Sequence, residues 1–163
     1  MKIFSETLEI IETILQNKSL CFKKSLDEIC KNLKEKIIHF DWVGFYFADH
    51  KRKELLLYSF AGTETEHKKI PFGKGICGQV ALSNKSFNVP DVEKEKNYIS
   101  CNVDVKSELV VPIFLEGQNI GQIDVDSNSL NPFNKDDVRL LESVGNLIAK
   151  KMITNKIKIH EPN

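Results

Sequence analysis

Residues 108–127 read ELVVPIFLEGQNIGQIDVDS, and this stretch decides the fold class. It contains two runs in which apolar residues alternate with polar or small ones, at residues 108–115 and 119–127. Such alternation predicts two β-strands, each with one face turned toward a core. Asp124 and Asp126 lie two positions apart on the second strand, so their side chains should point to the same face of the sheet.

The segments on either side of this stretch carry their own patterns. Apolar residues at helical spacing predict helices over residues 5–17, from about residue 20 to 38, and from 134 to about 153. Further strands are predicted at residues 41–49, 54–60 and 86–89, and a short helix follows the glycine-rich turn at residues 70–78. Asn134 has the position and chemistry of an N-cap. Residues 153–163 are predicted to form a frayed tail.

The element order predicts an α+β architecture over a single domain, residues 1–163. Strands cluster in mid-chain between terminal helices, which favours a mainly antiparallel central sheet. The helical frame, residues 5–38 and 134–153, should pack on one face of that sheet. Residues 41–127 should carry the ligand region on the other face.

Composition narrows the class of protein and its partners. The chain has 163 residues, of which 41% are hydrophobic and ten are phenylalanine, as expected of a globular protein. The 23 basic and 23 acidic residues balance, which argues against a general nucleic-acid-binding protein. No apolar run reaches membrane-spanning length and no signal-peptide core is present, so we predict a cytoplasmic protein without a membrane partner. Its four cysteines should then be reduced at rest.

The four cysteines differ in their surroundings. Cys30 lies on the apolar stripe of a predicted helix and should be a small buried hydrophobe; Cys21 begins that helix, and a structural role is favoured for it as well. Cys77 opens the short helix, where the helix dipole favours a thiolate, although a packed small residue is equally consistent with the sequence. Cys101 lies in a polar, accessible loop. With no Cys-x-x-Cys pair and no histidine at ligand spacing, we predict no metal site.

Three acidic residues stand inside otherwise apolar strands. Glu108, Asp124 and Asp126 either form the solvent face of a half-exposed sheet or line an acidic pocket that binds an ammonium group and shares a proton. Trp42 and Tyr46 lie four apart on one strand and therefore on one face. Such a pair is usually core, but it can also form an aromatic wall for a cationic ligand.

These residues together resemble the free methionine-R-sulfoxide reductases, which are single GAF domains. The resemblance covers roughly residues 41–137, with a helical frame at either end. The matching pieces are DWVGFY at residues 41–46, IPFGKGICG at 70–78, VPDV at 89–92, ISC at 99–101, SELVVP at 107–112 and GQIDVDS at 121–127.

The resemblance implies a pocket for free methionine sulfoxide. Trp42 and Tyr46 would hold the methylsulfinyl end of the substrate. Glu108, Asp124 and Asp126 would bind its amine and protonate the departing oxygen.

The resemblance also implies roles for two cysteines. Cys101 matches the position usually taken as the nucleophile, and Cys77 matches the second family cysteine. Many members carry a third cysteine ten residues before the latter, where this chain has His67. Either Cys77 resolves the oxidised enzyme, or an external thiol such as thioredoxin or glutathione does so, with no bound cofactor. A third alternative is a GAF binding or redox-sensor module without turnover.

Assembly is predicted from the terminal helices. Their apolar faces are wider than a single sheet face needs, which favours a homodimer joined partly through them.

Overall fold

A six-stranded antiparallel sheet with four α-helices forms the fold. The computed structural model describes residues 2–100 and 102–159. Its strands are β1 Trp42–Asp49, β2 Glu54–Ala61, β3 Lys69–Pro71, β4 Phe87–Val89, β5 Ser107–Leu115 and β6 Gln118–Ser127. Its helices are α1 Lys2–Gln16, α2 Phe22–Lys36, α3 Gly75–Ser83 and α4 Lys135–Thr154, with one 3₁₀ turn at Val92–Lys94. Among these helices, none combines the length and apolar composition needed to cross a membrane.

The strands are ordered β3-β2-β1-β6-β5-β4, and each neighbouring pair is antiparallel. This confirms the predicted α+β class with its mainly antiparallel sheet. β5 and β6 are joined by a two-residue turn in which Glu116 and Gly117 both have positive φ, 51° and 81°. Such turns match the twist of paired strands, and glycine adopts this conformation without strain.

The two faces of the sheet have different cores. α1, α2 and α4 pack on one face, where Phe45, Val111 and Val125 are fully or almost fully buried. α3 and the loops cover the other face, which contains the predicted ligand region. The predicted packing of the terminal helices on one face is therefore confirmed, and the second face is left to carry the polar side chains.

The start of α4 is fixed by a capping box. The Asn134 side chain accepts a hydrogen bond from the Asp136 amide at 2.7 Å, and the Asp137 carboxylate accepts one from the Asn134 amide at 2.8 Å. His39 contacts the same Asp137 carboxylate at 3.0 Å. The predicted N-cap is confirmed, and these bonds connect the last helix to the segment before β1.

Three local predictions are wrong. β3 was predicted as part of a turn, because a three-residue strand that contains Pro71 has no detectable alternation. α3 begins at Gly75, whereas the helix was predicted only after the glycine-rich turn. The predicted tail is also more ordered: α4 continues to Thr154, and Ile157 and Ile159 pack against the helix-side core. Residues 160–163 lie outside the described part of the chain.

Candidate active site

The three acids are brought together by the register of β5 and β6. Glu108 lies directly opposite Asp126, and Val110 lies opposite Asp124. The three carboxyl groups share the face covered by α3, and their residues are only 6%, 1% and 2% exposed for Glu108, Asp124 and Asp126. The solvent-face interpretation is therefore wrong, and the acids form a buried cluster.

Burial changes the protonation of this cluster. Desolvation raises the pKa of Glu108 well above its ordinary value, and the charges of Asp124 and Asp126 add to the rise. Desolvation also raises the pKa of Asp126 well above its ordinary value, with the charges of Asp124 and Asp41 contributing. The pKa of Asp124 rises from 3.8 only to about 6, because hydrogen bonds from Cys77 and Glu108 oppose the effect of burial. Asp124 is therefore the most acidic group of the cluster, and Glu108 and Asp126 keep their protons to higher pH than exposed carboxyl groups do.

Cys77 is in contact with this cluster. It is the third residue of α3 and is 4% exposed, and its thiol donates a hydrogen bond to Glu108 Oε1 at 3.8 Å. Its Sγ and oxygens of Glu108 and Asp124 all lie within 4.8 Å of one another. Thiol and carboxylate groups are donor types that also bind zinc. In this cluster they are joined to one another by hydrogen bonds. The predicted absence of a metal stays a prediction.

Trp42 forms one wall beside the acids. It lies opposite Asp126 in the pairing of β1 with β6, its ring stacks on Phe60 at a centroid distance of 5.8 Å, and its Nε1 donates to the Thr63 carbonyl at 3.0 Å. A Cβ atom at Gly44 would overlap the indole ring of Trp42. The glycine therefore provides the space in which the indole lies flat along the strand.

Tyr46 lies further along the same face and is fully buried. Its hydroxyl donates to the His67 carbonyl at 2.9 Å. The predicted placement of Trp42 and Tyr46 on one face is thus observed, and both rings are held by the loop at residues 62–68.

Gln122 is not among the predicted site residues, yet it belongs to this face. It lies opposite Tyr46 and has no exposed surface. Neither polar atom of its amide has a hydrogen-bond partner among the described residues, and the same holds for Asp124 Oδ1. Buried polar atoms of this kind are normally satisfied by water or ligand. The alternation of residues 122, 124 and 126 is the sequence signal that identifies it.

A narrow cleft leads from the surface to Asp126, one of the three acids of the cluster. Its volume is about 40 Å³, and it reaches Trp42 and Asp126. The other lining residues are Asp41, Thr63, Thr65, Asn102, Val105 and Asn128. Since this volume holds only a water molecule or so, a ligand of amino-acid size requires the lining side chains to move apart.

Cys101 lies outside the described residues. The chain on both sides of it reaches the site: the Ser100 carbonyl contacts His67 Nε2 at 2.9 Å, and Asn102 lines the cleft. Of the other thiols, Cys30 is fully buried as predicted, and burial raises its pKa well above the ordinary value. Cys21 is exposed at the N-cap of α2 and does not pack as its predicted structural role requires.

The curled antiparallel sheet and its helices define the class of the domain as α+β, with a buried polar site on one sheet face. The model of the GAF domain matches residues 23–151, and the chain belongs to the GAF domain family.

Particular relatives refine this class. GAF domain-containing protein A of Dictyostelium discoideum is 39% identical over 124 residues, which cover 76% of this chain and 77% of that protein. The free methionine-R-sulfoxide reductase of Saccharomyces cerevisiae is 33% identical over 117 residues, covering 71% of this chain and 65% of that protein. The X-ray structure of free methionine-R-sulfoxide reductase from Neisseria meningitidis, in complex with its substrate, matches with a TM-score of 0.86 and 33% identity over 94% of this chain and 90% of that one. The resemblance noted in the sequence is confirmed.

The raised pKa values predict that the fold loses stability as pH rises. Consider a carboxyl group whose pKa is higher in the folded than in the unfolded protein. It stabilises the fold fully at pH values below its unfolded pKa, and this stabilisation is lost as pH rises through its folded pKa. For Asp124 the window runs from 3.8 to about 6, and at about 1.4 kcal/mol per pKa unit the loss is about 3 kcal/mol. Glu108→Gln removes one ionisable group of the cluster. In urea denaturation, the stability of this variant minus that of wild type should be larger at pH 8 than at pH 4.

A matched control for this experiment is Glu116→Gln in the exposed β5–β6 turn. Its stability difference from wild type should be the same at both pH values. If Glu108→Gln also shows no pH-dependent difference, the Glu108 carboxyl does not hold a raised pKa in the folded protein.

Proposed function

We propose that this protein reduces free methionine-R-sulfoxide to methionine with thiols as the reductant. The observation that carries the proposal is the buried cluster of Glu108, Asp124 and Asp126 on the same sheet face as Trp42 and Tyr46. The names of the yeast and Neisseria relatives support the same substrate and the same class of oxidoreductase.

The site is chemically suited to both ends of this substrate. Free methionine sulfoxide carries an ammonium group, and the ionised Asp124 offers an oxygen that has no partner among the described residues. An ammonium group near the cluster favours the ionised carboxylates and partly offsets their burial. The Trp42 and Tyr46 rings form the apolar wall against which the methylsulfinyl group is held.

The proposed reaction consumes two thiols for each sulfoxide. The Cys101 thiolate attacks the sulfoxide sulfur while the protonated Asp126 gives a proton to the sulfoxide oxygen. A second thiol then attacks the oxidised Cys101, a disulfide forms, and the oxygen leaves as water. The products are methionine, a disulfide and water, so atoms and electrons balance. The role of Cys101 rests on the family resemblance.

The second thiol has two candidate sources. Cys77 lies in the acid cluster and is the internal candidate, while thioredoxin or glutathione is the external one. The internal disulfide requires the Cα atoms of Cys77 and Cys101 to come within roughly 7 Å of each other. The two sources are distinguished by identifying the disulfide formed in one turnover.

Asp126→Asn should reduce turnover much more than stability. The amide keeps the shape of the side chain but cannot deliver the carboxyl proton, and general acid catalysis typically contributes about 100-fold or more. The measurement is steady-state reduction of each epimer of free methionine sulfoxide with a thiol donor, beside a thermal melt. Asp91→Asn, which alters an acid on a different segment, is the control. Wild-type activity in Asp126→Asn would remove the proton-donor role.

Cys101→Ser should abolish reduction, even in a single turnover without recycling donor, because it removes the attacking sulfur. Cys77→Ser should mainly change the dependence on the donor. Mass spectrometry after one turnover should show either a Cys77–Cys101 disulfide or a mixed disulfide on Cys101. Full activity of Cys101→Ser with loss in Cys77→Ser would reverse the two roles.

If neither cysteine matters, the protein is not this kind of reductase. Calorimetric binding of methionine sulfoxide without turnover would then identify the alternative, a small-molecule-binding GAF module.

We also propose that the protein is a homodimer joined partly through α1 and α4. Ile3 on α1 is 45% exposed and Ile153 on α4 is 52% exposed, so apolar side chains remain at the surface of both helices. Sedimentation at high micromolar concentration should give a dimer, and Ile153→Lys should shift it toward monomer. A monomeric wild-type protein under these conditions removes the proposal.

A further inference from the structure

His67 connects three parts of the site. Its carbonyl accepts the hydrogen bond of the Tyr46 hydroxyl at 2.9 Å, and its amide donates to Thr65 Oγ1 at 3.1 Å. Its ring Nε2 lies 2.9 Å from the Ser100 carbonyl oxygen. Because a carbonyl only accepts, Nε2 is the donor and carries hydrogen in this contact.

Hydrogen bonds hold the segment at residues 97–100 at both ends. The Asn97 side chain accepts from the Gly75 amide and donates to the Gly73 carbonyl, each at 2.9 Å. At the other end, the Ser100 carbonyl accepts the hydrogen bond of His67 Nε2. The first contact attaches the segment to the start of α3, and the second attaches it to the loop that holds the aromatic wall.

We propose that His67 is a positioning residue: its side chain sets where the segment leading into Cys101 lies relative to Trp42 and Tyr46. This inference rests on the proposed function for its effect on turnover, but the tether itself is a property of the fold. A residue at position 67 is suited to this task because its backbone already binds Tyr46 while its side chain reaches across to Ser100.

The chemistry of the contact determines which substitutions are informative. The Tyr46 and Thr65 bonds use backbone atoms of residue 67, so they survive a change of side chain. His67→Leu removes the donor to Ser100 and leaves the aromatic wall in place. His67→Gln supplies an amide donor of similar reach. The pair therefore separates the side-chain bond from the backbone bonds.

The test combines hydrogen–deuterium exchange, kinetics and thiol labelling on the full chain. In His67→Leu, amide exchange over residues 97–106 should rise roughly 2- to 12-fold, the range that corresponds to one lost hydrogen bond. The value of kcat for methionine sulfoxide should fall while KM stays near wild type, because the substrate walls are unchanged. His67→Gln should restore both the amide exchange rate and kcat toward wild type. Glu66→Gln, an exposed neighbour on the same loop, should change neither.

The outcomes distinguish this inference from the proposed function. The rate of Cys101 alkylation by iodoacetamide, followed by mass spectrometry, measures the same segment without turnover and should change in His67→Leu but not in His67→Gln. If wild type does not reduce methionine sulfoxide, the proposed function fails while exchange and alkylation still decide the tether. Unchanged exchange and alkylation in His67→Leu would overturn the inference. A changed KM with unchanged kcat would also overturn it, since that result indicates substrate contact instead of positioning.

Discussion

The desolvation of three carboxyl groups on one sheet face is the constraint on which the rest of the structure depends. Burial disfavours their charged forms and raises the pKa of all three groups, while hydrogen bonds from Cys77 and Glu108 limit the rise at Asp124. Such a site does not stabilise the protein. The stability must come from apolar burial, both in the larger core that α1, α2 and α4 form on the opposite face and in the smaller apolar cluster around the acids.

The same strands supply both faces. On β6, Ile123 and Val125 enter the helix-side core, while Asp124 and Asp126 enter the acid cluster. A register slip of one residue would exchange these sets and place the carboxyl groups among the helices. The tight turn between β5 and β6 therefore matters for the site, because it fixes the pairing that sets Glu108 opposite Asp126.

The sequence predicted five of the six strands and the shared faces correctly, because these faces depend on the period-2 geometry of a strand alone. It did not decide whether Asp124 and Asp126 face solvent or a closed pocket, since both environments give the same pattern. Burial there depends on the approach of α3, whose glycine-rich start has no helical signature. The contact of His67 with Ser100 joins two loops, where no period exists to predict it.

The proton content of the cluster connects the fold to the proposed reaction. Sulfoxide reduction needs a proton at the oxygen, and an ordinary surface aspartate has already lost its proton at neutral pH. Burial raises the pKa of Asp126 well above its ordinary value, and the neighbouring charge of Asp124 adds to the rise, so Asp126 keeps its proton to higher pH than a surface aspartate does. An ammonium group bound near Asp124 weakens the same repulsion and makes the Asp126 proton easier to transfer. The ammonium group at one end of the proposed substrate would thus favour proton transfer to the sulfoxide oxygen at its other end. The burial that raises the pKa of Asp126 is therefore also what would let this residue act as the proton donor.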